Sequence, residues 1–495
     1  PAALYGGIEY QTPWEDLTLK LEYDGNDYTA ERFYVPIDPT LTEAPVYADS
    51  PWNVGAVYNL HNNLRLTLGY QRGNTFTFGV TLRADFNGKD QVKVTPRKRP
   101  AIVSPDQPAP PQNVAEALNA EAGYSVQAMQ LTDDRVTVYG SASDYRKRDE
   151  GLERAGRVLA STLPDSVKRY EMVEVNDGMA VVSDNINAER FKAIIRGQQF
   201  NRSLSHSFSQ SEGRSARTNP DFWLAPQTDY PAFNWGIAPE LTQSFGGAEG
   251  FYLYQLAAEI DGSLRLTPNW QIAGSVGINL INNYDKFTYT VDAYDTPLPR
   301  VRTYVREYYD DSNVWVKNLY SKYSAKLATN WYGAAYAGYL ERMFAGAGSS
   351  VLYRPLNSNW AFGADINWVK QRDFDNAFEL RDYKVWTGHV SAYWQTPLLD
   401  DSLIEVSAGR FLAGDEGVHL NFEHKFDTGV IAGVYAAFTN VSAEDYGEGS
   451  FTKGFYLSIP FDLFSITPSR SRAGIAWSPI TRDGGQRLSK PVNLY

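Results

Sequence analysis

The sequence contains no cysteine and only 4 methionines and 5 histidines among its 495 residues. Without thiols, the chain has no disulfide scaffold, no thiolate metal ligand and no cysteine nucleophile. No apolar run approaches the roughly 18 residues that a membrane-spanning helix needs, which excludes a helical membrane protein. A basic excess is also missing, since 46 Lys and Arg stand against 58 Asp and Glu. This balance argues against nucleic acid as a partner, because such binding relies on cations that replace phosphate counterions.

Aromatic residues are frequent, at 14% of the chain, and apolar and polar residues alternate in many stretches. In NWAFGADINWVK one strand face carries Trp360, Phe362, Ala364, Ile366 and Trp368. A soluble β-sandwich or jelly roll also alternates, but aromatic rings at the ends of the apolar faces favour a membrane β-barrel. These candidate membrane-girdle residues are Tyr252, Tyr254, Trp270, Trp360, Trp368, Trp386 and Trp394.

The opposite strand faces mix small and charged residues, as the interior of a barrel requires. The candidates for lining this interior are Glu259, Asp261, Arg265, Asp365, Asn367, His389, Tyr393 and Glu405. A barrel of about a dozen strands is narrow once side chains fill it. The pattern is compatible both with a lumen that conducts a polymer and with one that is packed shut.

We expect a mainly β fold with two antiparallel barrel units, the first only partly present, and a small α+β domain between them. The opening PAALYGGIEY resembles the interior of a fold and indicates a processed or partial chain. Three helices are predicted in the α+β domain, at residues 113–123, at 144–164 with Asp144 as N-cap, and at 187–197. The expected divisions are 1–92 (C-terminal strands of a first barrel), 93–112 (Pro-rich linker), 113–200 (α+β domain), 201–248 (connector or plug) and 249–495 (second barrel of roughly twelve strands).

One pattern, G-x-x-L-x-x-x-F, occurs twice, far apart in the chain. Its residues are Gly79, Leu82 and Phe86 in the first copy and Gly454, Leu457 and Phe461 in the second. Strand parity places Leu and Phe together on the lipid face and Gly on the inner face. The repetition suggests a duplicated barrel unit.

Catalytic and metal-binding patterns are weak. The paired acids, which are Asp310 and Asp311, Asp373 and Asp375, and Asp400 and Asp401, fall in predicted loops, where solvated acids are the simpler interpretation than a glycosidase pair. His419 and His424 have an odd spacing, which puts them on opposite strand faces. G-x-S-x-G, P-loop and HExxH motifs do not occur. We therefore expect no catalytic residue, no metal and no cofactor, and a protein that is not an enzyme.

The stretch LPRVRTYVREYYDD is dense in Arg and Tyr. We consider Arg300, Arg302, Tyr304, Arg306 and Tyr308 as candidate glycan contacts, the last four on one strand face. Guanidinium groups suit the carboxylates of an anionic polysaccharide, and aromatic rings suit stacking on sugars. The alternative is a loop or lumen ladder in which arginines and acids satisfy one another.

Several long stretches resemble the YjbH/GfcD-type outer-membrane proteins of exopolysaccharide and group 4 capsule biosynthesis. They include LYGGIEYQTPWEDLTLKLEYDGNDY (4–28), LPRVRTYVREYY (298–309), VLYRPLNSNWAFGADINWVKQRDF (351–374) and RAGIAWSPITRDGGQ (472–486). The resemblance implies a β-barrel in the Gram-negative outer membrane, with a periplasmic domain, that serves exopolysaccharide secretion. Its implied partners are the exopolysaccharide, outer-membrane lipid and periplasmic proteins of the same secretion system.

Family members also carry a signal sequence, often with a lipid-attachment cysteine, and a further N-terminal stretch, none of which is in this sequence. Two other functions remain as alternatives: a secreted β-rich enzyme acting on acidic polysaccharide, and a general diffusion porin.

Overall fold

The structure is a computed structural model of the chain. It describes residues 3–26, 28, 32–33, 44–45, 47–61, 64–82, 99, 101–199, 202–215, 221–226, 228–245, 252–284, 298–310, 313–375, 378–442, 451–463, 467–478 and 482–495. The chain divides into two compact units, Pro1–Lys89 and Asp90–Tyr495. Large antiparallel sheets dominate both units, which confirms the expectation of a mainly β fold.

The first unit is an antiparallel sheet of five strands in the order β1-β2-β5-β6-β7, with a separate β3–β4 pair. Its strands are β1 (Tyr5–Gln11), β2 (Leu17–Asp24), β3 (Arg32–Phe33), β4 (Ala44–Pro45), β5 (Trp52–His61), β6 (Leu64–Gln71) and β7 (Thr75–Leu82). Alternation leaves one apolar face uncovered, since Phe76 is 85% exposed and Phe78 and Val80 are also exposed.

The second unit begins with an α+β module, Pro111–Glu212. Its elements are α1 (Pro111–Ala122), β8 (Tyr124–Leu131), β9 (Arg135–Ala142), α2 (Arg148–Thr162), β10 (Arg169–Asn176), β11 (Met179–Asn187), α3 (Ala188–Ile195) and β12 (Phe208–Glu212). The sheet order is β12-β11-β10-β9-β8, and β9 and β10 are parallel because α2 carries the chain back between them. Helices and sheet enclose a core that includes Val114, Leu118, Leu159 and Phe191.

The helices of the module lie close to their sequence-predicted positions, with one correction. Asp144 is not the N-cap of α2, which begins four residues later with Lys147 at the cap and without a side-chain cap bond. Asp144 instead accepts a hydrogen bond from the Ser143 hydroxyl (2.8 Å). The amide and the hydroxyl of Ser143 both donate to the Gly123 carbonyl at the end of α1 (2.7 and 2.9 Å), and residues 143–147 precede α2 without regular structure.

Helix α3 has a side-chain cap that can be tested. The Asn187 side chain accepts a hydrogen bond from the Arg190 amide (2.9 Å). Asn187→Ala is expected to destabilise α3 by about 1 kcal/mol, because an N–H of the first turn loses its acceptor. Hydrogen exchange should be faster for the amides of residues 188–195 in the alanine variant. Asn187→Ser should retain slow exchange, and equal rates in both variants would contradict the role of the cap.

After the module, the described residues of the second unit form an antiparallel sheet of thirteen strands, in sequence order. We call it the large sheet. Its strands are β13 (Ala232–Phe245), β14 (Tyr252–Thr267), β15 (Trp270–Asn282), β16 (Val314–Ala328), β17 (Trp331–Tyr339), β18 (Phe344–Tyr353), β19 (Trp360–Arg372), β20 (Leu380–Thr396), β21 (Ser402–Arg410), β22 (Glu416–Lys425), β23 (Ile431–Thr439), β24 (Thr452–Pro460) and β25 (Arg472–Trp477), with α4 (Val305–Asp310) before β16. The sheet therefore starts within the stretch 201–248 that was expected to be a connector.

The two faces of the large sheet differ. One face is apolar and exposed; we call it the outer face. The inner face is covered by residues 298–310 and 482–495, whose apolar side chains join a cluster with buried Phe344 and Val369. In the large sheet, each described strand is hydrogen-bonded only to the strands that precede and follow it in sequence. A pairing between β13 and β25 is not among the described ones. Within the described part of the chain, no helix combines the length and apolar character that a membrane crossing needs.

The repeated G-x-x-L-x-x-x-F pattern lies in two separate sheets, on β7 and on β24 with the turn after it. Gly454 faces inward, where a Cβ would come within 2.5 Å of the Tyr435 ring, so a side chain does not fit there. Gly79 would meet only Thr67, at 3.5 Å. The glycine is thus required by packing in the second copy alone. Phe86 and the Leu82 side chain lie outside the described residues.

Candidate functional site

The outer face carries aromatic pairs at both ends of an apolar band. Trp360 pairs with Trp394 across β19 and β20, and Trp368 pairs with Trp386 eight residues further along β19. The rings of the first pair stack, with centroids 5.4 Å apart. Eight residues of strand span about 27 Å, which is the length of the apolar band between the two aromatic pairs along β19.

The other predicted girdle residues lie on the same face. Trp270 and Tyr252 are exposed, and Tyr252 stacks on the partly buried Tyr254 with ring centroids 5.5 Å apart.

The inner face gathers five of the eight interior candidates on three adjacent strands. Asp365 and Asn367 lie on β19, His389 and Tyr393 on β20, and Glu405 on β21. Asn367 and His389 are buried. The Asn367 amide donates to Asp365 (2.7 Å) and its carbonyl oxygen accepts from Tyr336 (2.6 Å). Hydroxyl, amide, carboxylate and aromatic groups therefore form one polar tract, which we call the inner tract.

The remaining three interior candidates lie apart from it, on β14. Glu259 accepts from Lys317 (2.8 Å), which also reaches Glu240 (2.7 Å). Asp261 is exposed. Arg265 lies near Asp177 of the α+β module (3.7 Å). These residues lie near the β13 edge of the large sheet, and Arg265 lies at the end of β14 that faces the α+β module.

Residues 482–495, which we call the inner segment, cover the inner tract. Arg487 pairs with Glu405 (2.8 Å) and Lys490 with Asp365 (2.7 Å). Further along, the Tyr495 ring stacks on Tyr393, with centroids 4.1 Å apart and planes 8° apart. The sequence of this segment gives no local sign of these contacts, because its partners lie more than 80 residues away.

Asp483 anchors the inner segment at its beginning. The carboxylate is buried and accepts hydrogen bonds from the backbone amides of Val301 (2.8 Å), Arg302 (2.8 Å) and Thr303 (3.0 Å). It also accepts from the Thr303 hydroxyl (2.8 Å) and lies 3.6 Å from Arg300. One side chain thus joins the two stretches that cover the inner face.

The arginine and tyrosine residues proposed as glycan contacts are near Asp483. The expected strand geometry is wrong here: the stretch is a turn followed by the short helix α4. Arg302 donates to both oxygens of Glu341 (2.6 and 3.1 Å), and Tyr308 is buried with its hydroxyl bonded to the Arg372 carbonyl.

Of the three other members of that set, Arg300 lies beside Asp483, as described above. Tyr304 packs edge-on against Phe374, with ring centroids 5.1 Å apart, under the Arg381 guanidinium. The side chain of Arg306 lies outside the described residues.

A cavity of about 630 Å³ opens where the inner segment ends. Its lining includes Tyr495, Arg354 and Gln395 from the large-sheet side and Gln210 and Glu212 from the edge of the module. The Arg354 guanidinium lies over the Tyr495 ring, 4.6 Å from its centroid. Through Tyr495, the inner tract therefore borders a cavity of mixed polar and apolar lining at the junction with the module.

Ion pairs hold the module against this end of the large sheet. Lys326 donates to Glu212 (2.7 Å), and this hydrogen bond lowers the pKa of the Glu212 carboxyl. Lys322 pairs with Asp177 (2.8 Å). At a second point, both oxygens of Asp462 accept from the Arg146 side chain (3.0 and 2.9 Å).

The described residues show no clustering of three or more His, Asp or Glu side chains of the kind that holds a metal ion. His419 stacks on Tyr435, whereas His424 is hydrogen-bonded to Ser402 (2.7 Å). Of the acid pairs, Asp311 and the Asp310 side chain lie outside the described residues.

Comparison with known proteins gives two matches. Residues 1–495 match the model of the YjbH family, described as an exopolysaccharide biosynthesis protein. The chain is also 42% identical over 505 residues to a protein of Escherichia coli (strain K12) described as "Uncharacterized lipoprotein YjbH". That alignment covers 100% of this chain and 70% of the relative. Both matches confirm the resemblance seen in the sequence.

Proposed function

The chain belongs to the YjbH exopolysaccharide biosynthesis family, and from this premise we propose that it is an outer-membrane β-barrel protein of exopolysaccharide secretion. In this proposal the large sheet closes around the inner tract, which contacts or conducts an extended glycan. The lipoprotein named among the relatives supports a membrane location. Since thirteen is odd, the first and last strands of the sheet run in the same direction, and closure would pair them in parallel.

The contrast between the faces of the large sheet is the observation that carries the proposal. Val390 is 68% exposed midway between the aromatic pairs, and Ile366 and Phe362 on the next strand are 55% and 50% exposed. A soluble protein rarely leaves a continuous apolar band of this kind uncovered. Lipid covers such a band in an outer-membrane barrel, whose interior is polar.

The turns of the large sheet suggest its orientation. Two-residue turns, 268–269 and 329–330, lie at the end that meets the α+β module. The longest stretch between two strands in sequence, 283–313, leaves β15 and enters β16 at the opposite end. Outer-membrane barrels have short periplasmic turns and longer external loops. This arrangement supports a periplasmic location for the module and for the cavity beside it.

Two measurements test the proposal. The purified protein should require detergent for extraction and should migrate faster on SDS gels before boiling than after it. A strain lacking the protein should lose its secreted exopolysaccharide and regain it when the chain, in its full-length context, is supplied. A protein that stays monomeric without detergent, or a deletion that leaves secretion intact, would overturn the proposal.

Residues 482–495 cover the inner tract, which supports a controlled path for one polymer. A general diffusion porin, the alternative function that also places the protein in a membrane, would instead have an open lumen. Liposome swelling assays with small sugars distinguish the two. Swelling should be slow for the wild-type protein, and rapid swelling would favour the porin. Cleavage of acidic polysaccharide by the purified protein would favour the enzyme alternative.

A further inference from the structure

The inner segment is held in a way unlike a strand of the large sheet. It adds no strand to a ladder and instead bonds to side chains and isolated backbone groups. The Gly485 amide donates to Asp415 (2.8 Å), the Ser489 amide donates to Glu341 (2.9 Å), and the Gln486 carbonyl accepts from the Leu412 amide (2.9 Å). Such contacts can be released without breaking any strand pairing.

Two of the main contacts of the inner segment are ion pairs. Arg487 and Lys490 each meet one sheet carboxylate, and the four side chains involved are 7–25% exposed. Partly buried pairs of this kind respond strongly when one partner changes sign, because the remaining charge then lacks its counterion. Leu488 and Val492 add buried apolar contact.

The groups beneath the segment suit a sugar chain. Asn367, the hydrogen-bonded hydroxyls of Ser391 and Ser407 (2.7 Å apart) and the carboxylates of Asp365 and Glu405 offer donors and acceptors for sugar hydroxyls. The Tyr393 ring, now covered by Tyr495, offers a flat apolar surface once uncovered. A few placed polar groups beside an aromatic wall are the usual composition of a binding site.

Removal of the segment changes the charge of the inner tract. Asp365 and Glu405 lose their cationic partners, Lys490 and Arg487, so the middle of the tract becomes acidic. Like charges in a confined, poorly solvated path repel strongly. The uncovered tract is therefore suited to an uncharged or amino-bearing glycan and disfavours a polyuronate.

Resting on the proposed function, we propose that the inner segment occupies the path of the glycan and must leave it during secretion. The path runs from the Asp483 end of the inner face, along the inner tract, to the cavity beside Tyr495. The glycan it accepts is uncharged or amino-bearing. The segment closes the path when no polymer is present.

Charge reversal tests the closure. In planar bilayers, Arg487→Glu should raise the open fraction of the channel about tenfold, because an attractive pair becomes repulsive. The double variant with Arg487→Glu and Glu405→Arg should return conductance to the wild-type level. Arg169→Glu, on the exposed surface of the module, is the matched control and should have no effect. Equal conductance of Arg487→Glu and wild type, with both folded by gel mobility, would overturn closure by the segment.

Chemical cross-linking tests whether the inner segment must move out of the glycan path during secretion. Because residues 1–495 contain no cysteine, Glu341→Cys with Ser489→Cys places a thiol pair between the β17–β18 turn and the inner segment, at a contact (2.9 Å) that lies outside the inner tract. A short reducible bis-maleimide should stop exopolysaccharide secretion in cells, and reductant should restore it, while the unlinked double variant secretes. If the tethered protein secretes normally although deletion abolishes secretion, the segment does not occupy the path and the proposed function still stands.

The charge of the polymer is tested separately. The exopolysaccharide that disappears on deletion is collected from the wild-type strain and assayed for uronate and for retention on an anion exchanger. Low uronate content and no retention are expected. A uronate-rich, retained polymer would overturn the inferred glycan class.

Discussion

Replacing Asp483 by alanine is expected to lower the free energy of unfolding of the large-sheet unit by about 3–5 kcal/mol, the cost of removing one partner from a buried charged network. The variant leaves three backbone amides and the Thr303 hydroxyl without their acceptor in a buried site. Each buried polar group that loses its partner costs about 1–3 kcal/mol. Urea unfolding in detergent, followed by gel mobility, measures the change.

The contacts of Asp483 also predict which segments become accessible to protease when its side chain is removed. Residues 298–303 and the inner segment share this carboxylate, so trypsin should cut the alanine variant after Arg302 and Arg487 while sparing the wild type. Asp483→Asn keeps one oxygen acceptor and should be intermediate. Asp134→Ala, which removes an exposed partner of Arg169, is the control and should change little. Equal stability of all three variants would show that Asp483 does not anchor the segment.

The strands of the large sheet could be predicted because their signal is local. Trp360, Phe362, Ile366 and Trp368 alternate with polar residues over one strand length, and no distant contact is needed to assign their face. The cross-strand partnership of Trp360 with Trp394 is supplied by the structure, because the alternation of a single strand does not specify its register with a neighbour.

The sequence predicts the start of the second barrel at residue 249, whereas the large sheet begins with β13 at Ala232. β13 alternates as clearly as its neighbours, with Phe233, Trp235 and Ile237 exposed on one face. Pro239 interrupts the pattern and argues against a central strand. In the described part of the sheet β13 is an edge strand, where the missing N–H of a proline is tolerated.

The arrangement of the inner face could not be predicted because it depends on contacts across the chain. Arg302, Tyr304 and Tyr308 alternate like strand residues, yet α4 forms and Arg302 turns toward Glu341. Asp483, which fixes the preceding turn, lies about 180 residues away in sequence. A local pattern contains no information about such a partner, and the same limit hid the inner segment.

Val390→Arg is expected to destabilise the folded protein in lipid vesicles by about 2–4 kcal/mol, the cost of an arginine at the middle of a bilayer. Val390 is 68% exposed on the outer face and lies four residues from both Trp386 and Trp394. On a water-covered surface, the same substitution would change stability by no more than about 0.5 kcal/mol. The measurement is the fraction folded on unboiled gels across a urea series.

Two further variants distinguish an outer face covered by lipid from one covered by water. Val103→Arg, at a position of the second unit outside the sheets that is 74% exposed, should be neutral in vesicles and in detergent. Val434→Arg, on the outer face of β23 and 54% exposed, should be destabilising, and its effect should add to that of Val390→Arg because the strands are well separated. If Val390→Arg and Val434→Arg are as neutral as Val103→Arg, the outer face meets water. The apolar band then needs another covering partner, and the case for a lipid-embedded sheet fails while family membership remains.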